Sequence, residues 1–217
     1  MKIIEPGVEF VTPIDREAGR TILRRIEQCG RTCYKSEAKI TGDSAEKFVR
    51  GLVKRGHESV LEHASFTLRF TCDRGVSHEI VRHRLASYSQ ESTRYCNYAG
   101  AQFGNEITVI RPVFWQEETP NYQLWRRTCR EAEVSYFILL SNGASPQEAR
   151  SVLPNSLKTE VVMTANLREW RHFFRLRCSK AAHPQMVQVA KMALEMCHDA
   201  IPVVFDDIYG EVMADAE

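Results

Sequence analysis

The densest chemistry in the sequence lies between Arg82 and Arg94. Over thirteen residues, RHRLASYSQESTR, the chain places three arginines, one histidine and three serines. Like charges crowded together repel, so the cluster is costly to pack unless an anion is shared among its members. A guanidinium offers a planar fork of donors that matches phosphate oxygens in pairs. Serine hydroxyls and loop N–H groups add neutral donors. On chemistry alone two readings stay open. One is a phosphate-type anion site; the other is a solvated basic loop or an internal salt-bridge cluster.

Composition narrows the class. The 217 residues suit one domain, and 43% apolar residues suffice for a core. The 29 Lys+Arg nearly cancel the 28 Asp+Glu, which argues against a protein gripping a nucleic-acid backbone. No run of about 18 apolar residues suggests a membrane span, and MKIIEPGVEF lacks the apolar core of a signal peptide. Seven scattered cysteines without a CxxC read as reduced thiols, and the expected location is cytoplasmic.

Several motifs are missing. Neither GxGxxG nor GxxxxGK[ST] occurs, so no Rossmann fingerprint or P-loop is present, and there is no G-x-S-x-G elbow. His57 and His63 are six apart. At about 100° per residue they point about 120° apart on a helix, unlike zinc-protease histidines, and no metal site is expected.

The elements that position the cluster can be read from caps and periodicity. Residues 2–11 read as one strand. Asp15 caps a helix to about Gln28, with Ile22, Leu23 and Ile26 inward and Gly30 just past its end. Asp43 and Glu46 form a capping-box-like start for a helix to Arg55, closed by Gly56. Residues 63–72 alternate as a half-buried strand. A short helix carrying Glu79 follows, ending near His83, and then a strand around Ser92–Tyr98. Thr119-Pro120 opens a long helix closed by Asn142-Gly143, and Ser145-Pro146-Gln147-Glu148 opens another, stopped by Pro154. Residues 159–165 read as a strand, Asn166 with Glu169 as a helix start, and Pro184 as the first turn of the last long helix. On the helix after Asn166, Trp170, Phe173 and Phe174 are available as core, while Arg168 and Arg171 read as a solvated basic face. The order mixes helices with few strands and has no βαβ repeat, which predicts one α+β domain over residues 1–217.

The spacing R-H-R-x-x-S-x-x-x-x-S-x-R over 82–94 resembles the signature of the flavin-dependent thymidylate synthases. Gly56-His57-Glu58-Ser59 with Glu62-His63 is similar to that family's GHE…EH segment. Ala149-Arg150 leading into Leu153-Pro154 is similar to its AR..LP element. Asn166, Arg168, His172, Leu176 and Arg177 fall at its N-x-R and late-arginine positions. The likeness covers roughly residues 30–205 in the expected order.

The resemblance implies reductive methylation of dUMP to dTMP. FAD and NADPH would act as reductants and 5,10-methylenetetrahydrofolate as carbon donor, with no protein nucleophile. It implies a mostly antiparallel twisted sheet flanked by helices, in a homotetramer with active sites between subunits. FAD contacts would come from Ser59, Arg82, His83, Arg84, Gln90, Asn166, Arg168 and His172. dUMP contacts would come from Glu79, Arg82, Gln90, Glu91, Ser92, Thr93, Arg94, Arg150 and Arg177. Ser92 and Arg94 would hold the phosphate, aided by backbone N–H groups of residues 91–93, and Arg150 would arrive from a different subunit. Arg177 would be the catalytic residue, a fixed cation at the uracil ring. The chain departs from the family pattern at Glu79, where some members have glutamine, at Cys33, where serine is common, and around His183. His57 reads equally as a substrate contact or as a turn-holding residue.

Overall fold

The computed structural model describes residues 1–214. They form two compact units between which the chain passes repeatedly. The first takes Met1–Gly7, Phe70–Arg82 and Ser89–Val161; the second takes Val8–Arg69, His83–Tyr88 and the chain from Val162 onward.

The first unit holds β1 (Lys2–Ile4), the helix α3 (Arg74–Ile80), β5 (Thr108–Ile110), α4 (Pro120–Ser141) and α5 (Pro146–Ala149). Residues 2–11 are thus not one strand. Glu5-Pro6 interrupts them before β2 (Gly7–Phe10), because proline has no N–H to give a ladder. β1 pairs with β5 in parallel, Lys2 opposite Thr108 and Ile4 opposite Ile110. Thr119 caps α4 by accepting the Tyr122 N–H at 3.3 Å, and Gly143 leaves it at φ +91°. Ser145 and Glu148 form the expected capping box. Ile107, Val109, Cys129, Tyr136 and Leu157 make the core of this unit.

The second unit is mainly helical: α1 (Arg16–Thr32), α2 (Ser44–Lys54), α6 (Leu167–Arg177), α7 (Pro184–Ala200) and α8 (Pro202–Ala214). Its aromatic core stacks Trp170 on Phe66 at 5.1 Å and sets Phe174 edge-on to Phe205 at 5.5 Å. Strands β3 (Ser65–Asp73), β4 (Ala86–Gln90) and β6 (Lys158–Asn166) are shared out between the units. With β2 they form an antiparallel sheet in the order β2-β3-β6-β4. Alternate residues of β3 and β6 are buried, as period two requires. The fold is mixed α and β, as expected.

Four local expectations are corrected. Gly30 lies inside α1, not past it: a Cβ there would come within 2.7 Å of the Phe48 ring, so it marks the close approach of α1 to α2. Asp43 makes no capping bond; its carboxylate takes the Thr41 hydroxyl at 2.7 Å instead. The strand after α3 is β4, not Ser92–Tyr98. There the Ser92 carbonyl accepts from the Tyr95 and Cys96 N–H groups at 3.1 and 2.9 Å, which makes a turn. Finally α7 is not the last helix, since Pro202 starts α8 directly after Ile201.

Candidate active site

In the first unit the Asp73 carboxylate accepts the Val76 N–H at 2.7 Å and so starts α3. Glu79 is half-buried near the end of that helix, and Arg82 follows it, exposed. Gln90 ties the strand end to α3, donating from Nε2 to Ser77 Oγ at 3.0 Å and to Thr159 Oγ1 at 3.3 Å.

Glu91 is more fixed than its sequence suggested. Its N–H is given to the Glu160 carbonyl at 2.9 Å. Its carboxylate accepts from Tyr98 Oη and from Lys158 Nζ, both at 3.0 Å. Burial and the neighbouring carboxylate push the Tyr98 phenol up, so it stays a donor. The expected help of the Glu91 N–H in holding a phosphate is therefore withdrawn, because that group already has a partner.

Beyond Glu91 the chain turns. Ser92 is half-buried, Thr93 buried and Arg94 exposed, with its guanidinium 5.3 Å from the Tyr95 ring centre. Arg150, just after α5, donates from Nη1 to Thr93 Oγ1 at 3.2 Å. Arg150 was expected to reach the nucleotide from a different subunit. Within one chain it already sits beside Thr93, because the short α5 and the 3-10 turn Arg150–Val152 bring it in. Two arginines and two hydroxyls therefore flank one turn, a donor set suited to a phosphate monoester.

In the second unit the sequence neighbours His83 and Arg84 part ways: Arg84 is exposed and the His83 side chain is only 2% exposed. His83 Nδ1 lies 2.9 Å from Glu169 Oε1, and Nε2 accepts from Arg177 Nε at 3.1 Å. Burial lowers the histidine's pKa and the Arg177 charge adds to this, outweighing Glu169, so the ring is neutral near pH 7. A ring contact with a cofactor, expected from the motif, does not fit this burial; the ring's partners are protein groups. His83, Glu169 and His172 place possible metal-ligating atoms within 4.8 Å of one another. The Nε2 lone pair is taken by Arg177, however, and Nδ1 carries the proton facing Glu169, so His83 has nothing left to give a cation.

Helix α6 carries most of the other expected residues. Asn166 caps it, its Oδ1 accepting the Glu169 N–H at 2.9 Å. Arg168 and His172 are exposed, and Arg168 pairs with Glu62 at 2.5 Å. Arg171 is a correction: it is fully buried rather than solvated. It donates to both oxygens of Asp207 at 2.8 and 2.6 Å, to Glu58 at 3.0 Å and to the Val204 carbonyl. The sequence held a sign of this, since Leu167, Arg171 and Phe174 share one helical face and both neighbours are core.

A cleft of about 650 Å³ opens in the same unit. Ser59, His57, Arg168, Cys33, Tyr34 and Phe48 are among its walls. Hydroxyl and cationic donors beside aromatic faces are the mixture that a dinucleotide with a ring and phosphates requires, so the chemistry of this cleft fits part of a flavin nucleotide. The four buried cysteines are poor nucleophiles: burial pushes Cys129 up to about 11 and Cys178 up to about 12, and raises Cys72 and Cys197 as well. Among the described residues no helix is long and apolar enough to cross a membrane.

The fold matches that of a solved protein. It superposes with TM-score 0.74 on the crystal structure of the UMP/dUMP methylase PolB from Streptomyces cacaoi bound with 5-Br dUMP, at 23% identity over 95% of this chain and 96% of that one. Residues 20–203 match the family of thymidylate synthase complementing proteins, and the chain belongs to this family, the flavin-dependent thymidylate synthases. It is 34% identical to the flavin-dependent thymidylate synthase of Geobacter sulfurreducens over 84% of this chain and 80% of that protein. It is also 34% identical to that of Pyrococcus furiosus over 82% and 74%. Such a chain is an enzyme of the methyltransferase class.

Proposed function

We propose that this enzyme methylates dUMP to dTMP, with FAD as the flavin, NADPH as reductant and 5,10-methylenetetrahydrofolate as carbon donor, working as a homotetramer of single-domain chains with active sites between subunits. The observation that carries the reading is the turn at residues 92–94 with Arg150 donating to Thr93. It is a ready phosphate cradle in a chain of this family, and a solved relative of the same fold is described with 5-Br dUMP bound.

The roles follow from chemistry. Ser92, Arg94 and Arg150 hold the nucleotide phosphate; Arg82 and Arg84, exposed beside it in sequence, add positive charge toward flavin and nucleotide. Glu79 and Gln90 flank the nucleotide, and Glu91 serves by holding the turn through Tyr98 and Lys158. Ser59, Asn166, Arg168 and His172 face the flavin. When bound, the reduced flavin supplies the hydride and the folate supplies the carbon.

The protein's own contribution is electrostatic. Arg177 places a permanent cation where charge develops on the uracil ring as C5 becomes nucleophilic.

Flavin binding is the first test. Apoprotein titrated with FAD should acquire a flavin absorbance band that NADPH bleaches and that dUMP perturbs. Protein that binds dUMP but takes up no flavin contradicts the reading.

A further inference from the structure

We propose that His83 and Glu169 are positioning residues for Arg177, with a neutral Nδ1–H imidazole relaying the Glu169 carboxylate to the arginine's Nε. The inference rests on the catalytic role given to Arg177 above.

The direction of each bond is determined by what the groups can do. A guanidinium Nε–H donates and has no lone pair to accept with. At 3.1 Å from Arg177 Nε, His83 Nε2 must therefore be the acceptor. The ring's single proton then sits on Nδ1, facing Glu169 Oε1 at 2.9 Å. The tautomer is thus assigned without appeal to any ligand.

Every part of the relay is held from a second side. Glu169 is 7% exposed at its side chain, and its N–H is fixed by the Asn166 cap at 2.9 Å. The His83 carbonyl accepts the Tyr88 hydroxyl at 2.6 Å, and its ring packs 4.9 Å from that of Phe173. Glu169 and Arg177 are eight residues apart on α6, about 12 Å of rise. The His83 ring, brought in from the start of another segment, bridges that interval.

A long arginine on the last residue of a helix loses rotamer freedom when it is fixed. A buried, oriented acceptor removes that loss before substrate arrives, which is how supporting hydrogen bonds sharpen catalytic groups. The titratable and charged groups that the structure places against the ring are Glu169, His172 and Arg177 from α6, while Tyr88 from β4 donates to the His83 carbonyl. Protonating Nε2 would set donor against donor at Arg177 and break the relay. Burial lowers the ring's pKa, so the relay persists at neutral pH and fails only on acidification.

The experiment compares holoenzymes of His83→Gln and His83→Leu with wild type, reading bound flavin, turnover and the pH profile of kcat. The Gln Oε1 can still accept from Arg177; Leu cannot. His83→Leu is expected to keep FAD and lose turnover by roughly 10²-fold, with His83→Gln far less affected. The wild-type kcat is expected to fall through an acidic limb below about pH 6.5 that His83→Gln lacks. A merely structural histidine would not remove that limb. Turnover of His83→Leu equal to wild type, an acidic limb persisting in His83→Gln, or loss of FAD from both variants would overturn the proposal. Should the wild type itself show no FAD-dependent turnover, the reading of Arg177 has failed, and nitrogen NMR of the labelled His83 ring judges the relay separately. An Nδ1–H tautomer supports it and an Nε2–H tautomer overturns it.

Discussion

Arg171 and Asp207 form a two-pronged pair between α6 and α8, with both guanidinium Nη atoms on the carboxylate at 2.8 and 2.6 Å and the arginine fully buried. Glu58, which precedes Ser59 in the cleft wall, accepts from the same arginine at 3.0 Å. One buried cation thereby ties two helices to the loop expected to meet the flavin.

Asp207 is 40% exposed at its side chain and Arg171 keeps Glu58 and the Val204 carbonyl, so solvent and the remaining partners soften the loss to about 1–2 kcal/mol. Asp207→Asn should therefore lower Tm by roughly 2–8 °C. The Asp207 carboxyl lies below its ordinary value: burial pushes it up, but the Arg171 hydrogen bonds and charge outweigh burial. A carboxyl depressed in the folded state adds stability that is present above its unfolded pKa, about 3.9, and is lost as pH falls through the folded value. Thermal melts should show an acid-side loss below about pH 4 in wild type that is smaller in Asp207→Asn. Equal acid slopes would contradict the pairing.

Gly19 on α1 has the Ala200 carbonyl oxygen only 2.2 Å from where a Cβ would sit. Backbone cannot yield as a side chain can, so Gly19→Ala should destabilise by about 1–3 kcal/mol. Urea unfolding measures this; an unchanged midpoint would mean that α1 and α7 can separate freely.

Arg94→Ala should weaken dUMP binding by about 1.5–3 kcal/mol, the range for hydrogen bonds to charged groups, while flavin occupancy stays as in wild type. Calorimetric titration separates the two. Unaltered nucleotide affinity would remove Arg94 from the phosphate site.

Arg177→Ala should lower kcat by roughly 10²–10³-fold, the loss typical of one preorganised donor at a developing charge, with FAD still bound. Arg177→Lys should restore little, since an ammonium lacks the Nε–H that His83 accepts. Equal losses of flavin and turnover would deny Arg177 its role at the reacting ring.

What could be read from sequence was local. Thr119-Pro120, Ser145 with Glu148, and Asn166 with Glu169 announce helix starts because each motif satisfies backbone donors within three residues. The alternation of β3 survives for the same reason: burial at Phe66, Leu68 and Phe70 follows from period two alone. What escaped depends on partners far along the chain. Arg171 reads as a surface arginine until Asp207 and Glu58 arrive from 36 residues ahead and 113 behind. His83 reads as a ligand contact until Glu169, 86 residues away, turns it inward. The turn after Glu91 looked like a strand because its aromatics suit one, yet Tyr98 is buried through its own hydroxyl bond back to Glu91. Motif spacing singled out the residues of the turn at 92–94, while their hydrogen-bond partners came only with the fold.

The most direct test of the account is release of the C5 hydrogen from C5-tritiated dUMP by protein stripped of flavin, given 5,10-methylenetetrahydrofolate and NADPH, with and without added FAD. The expected result is tritium release that requires FAD. Release that proceeds equally without FAD would contradict it, and so would no release while FAD is bound.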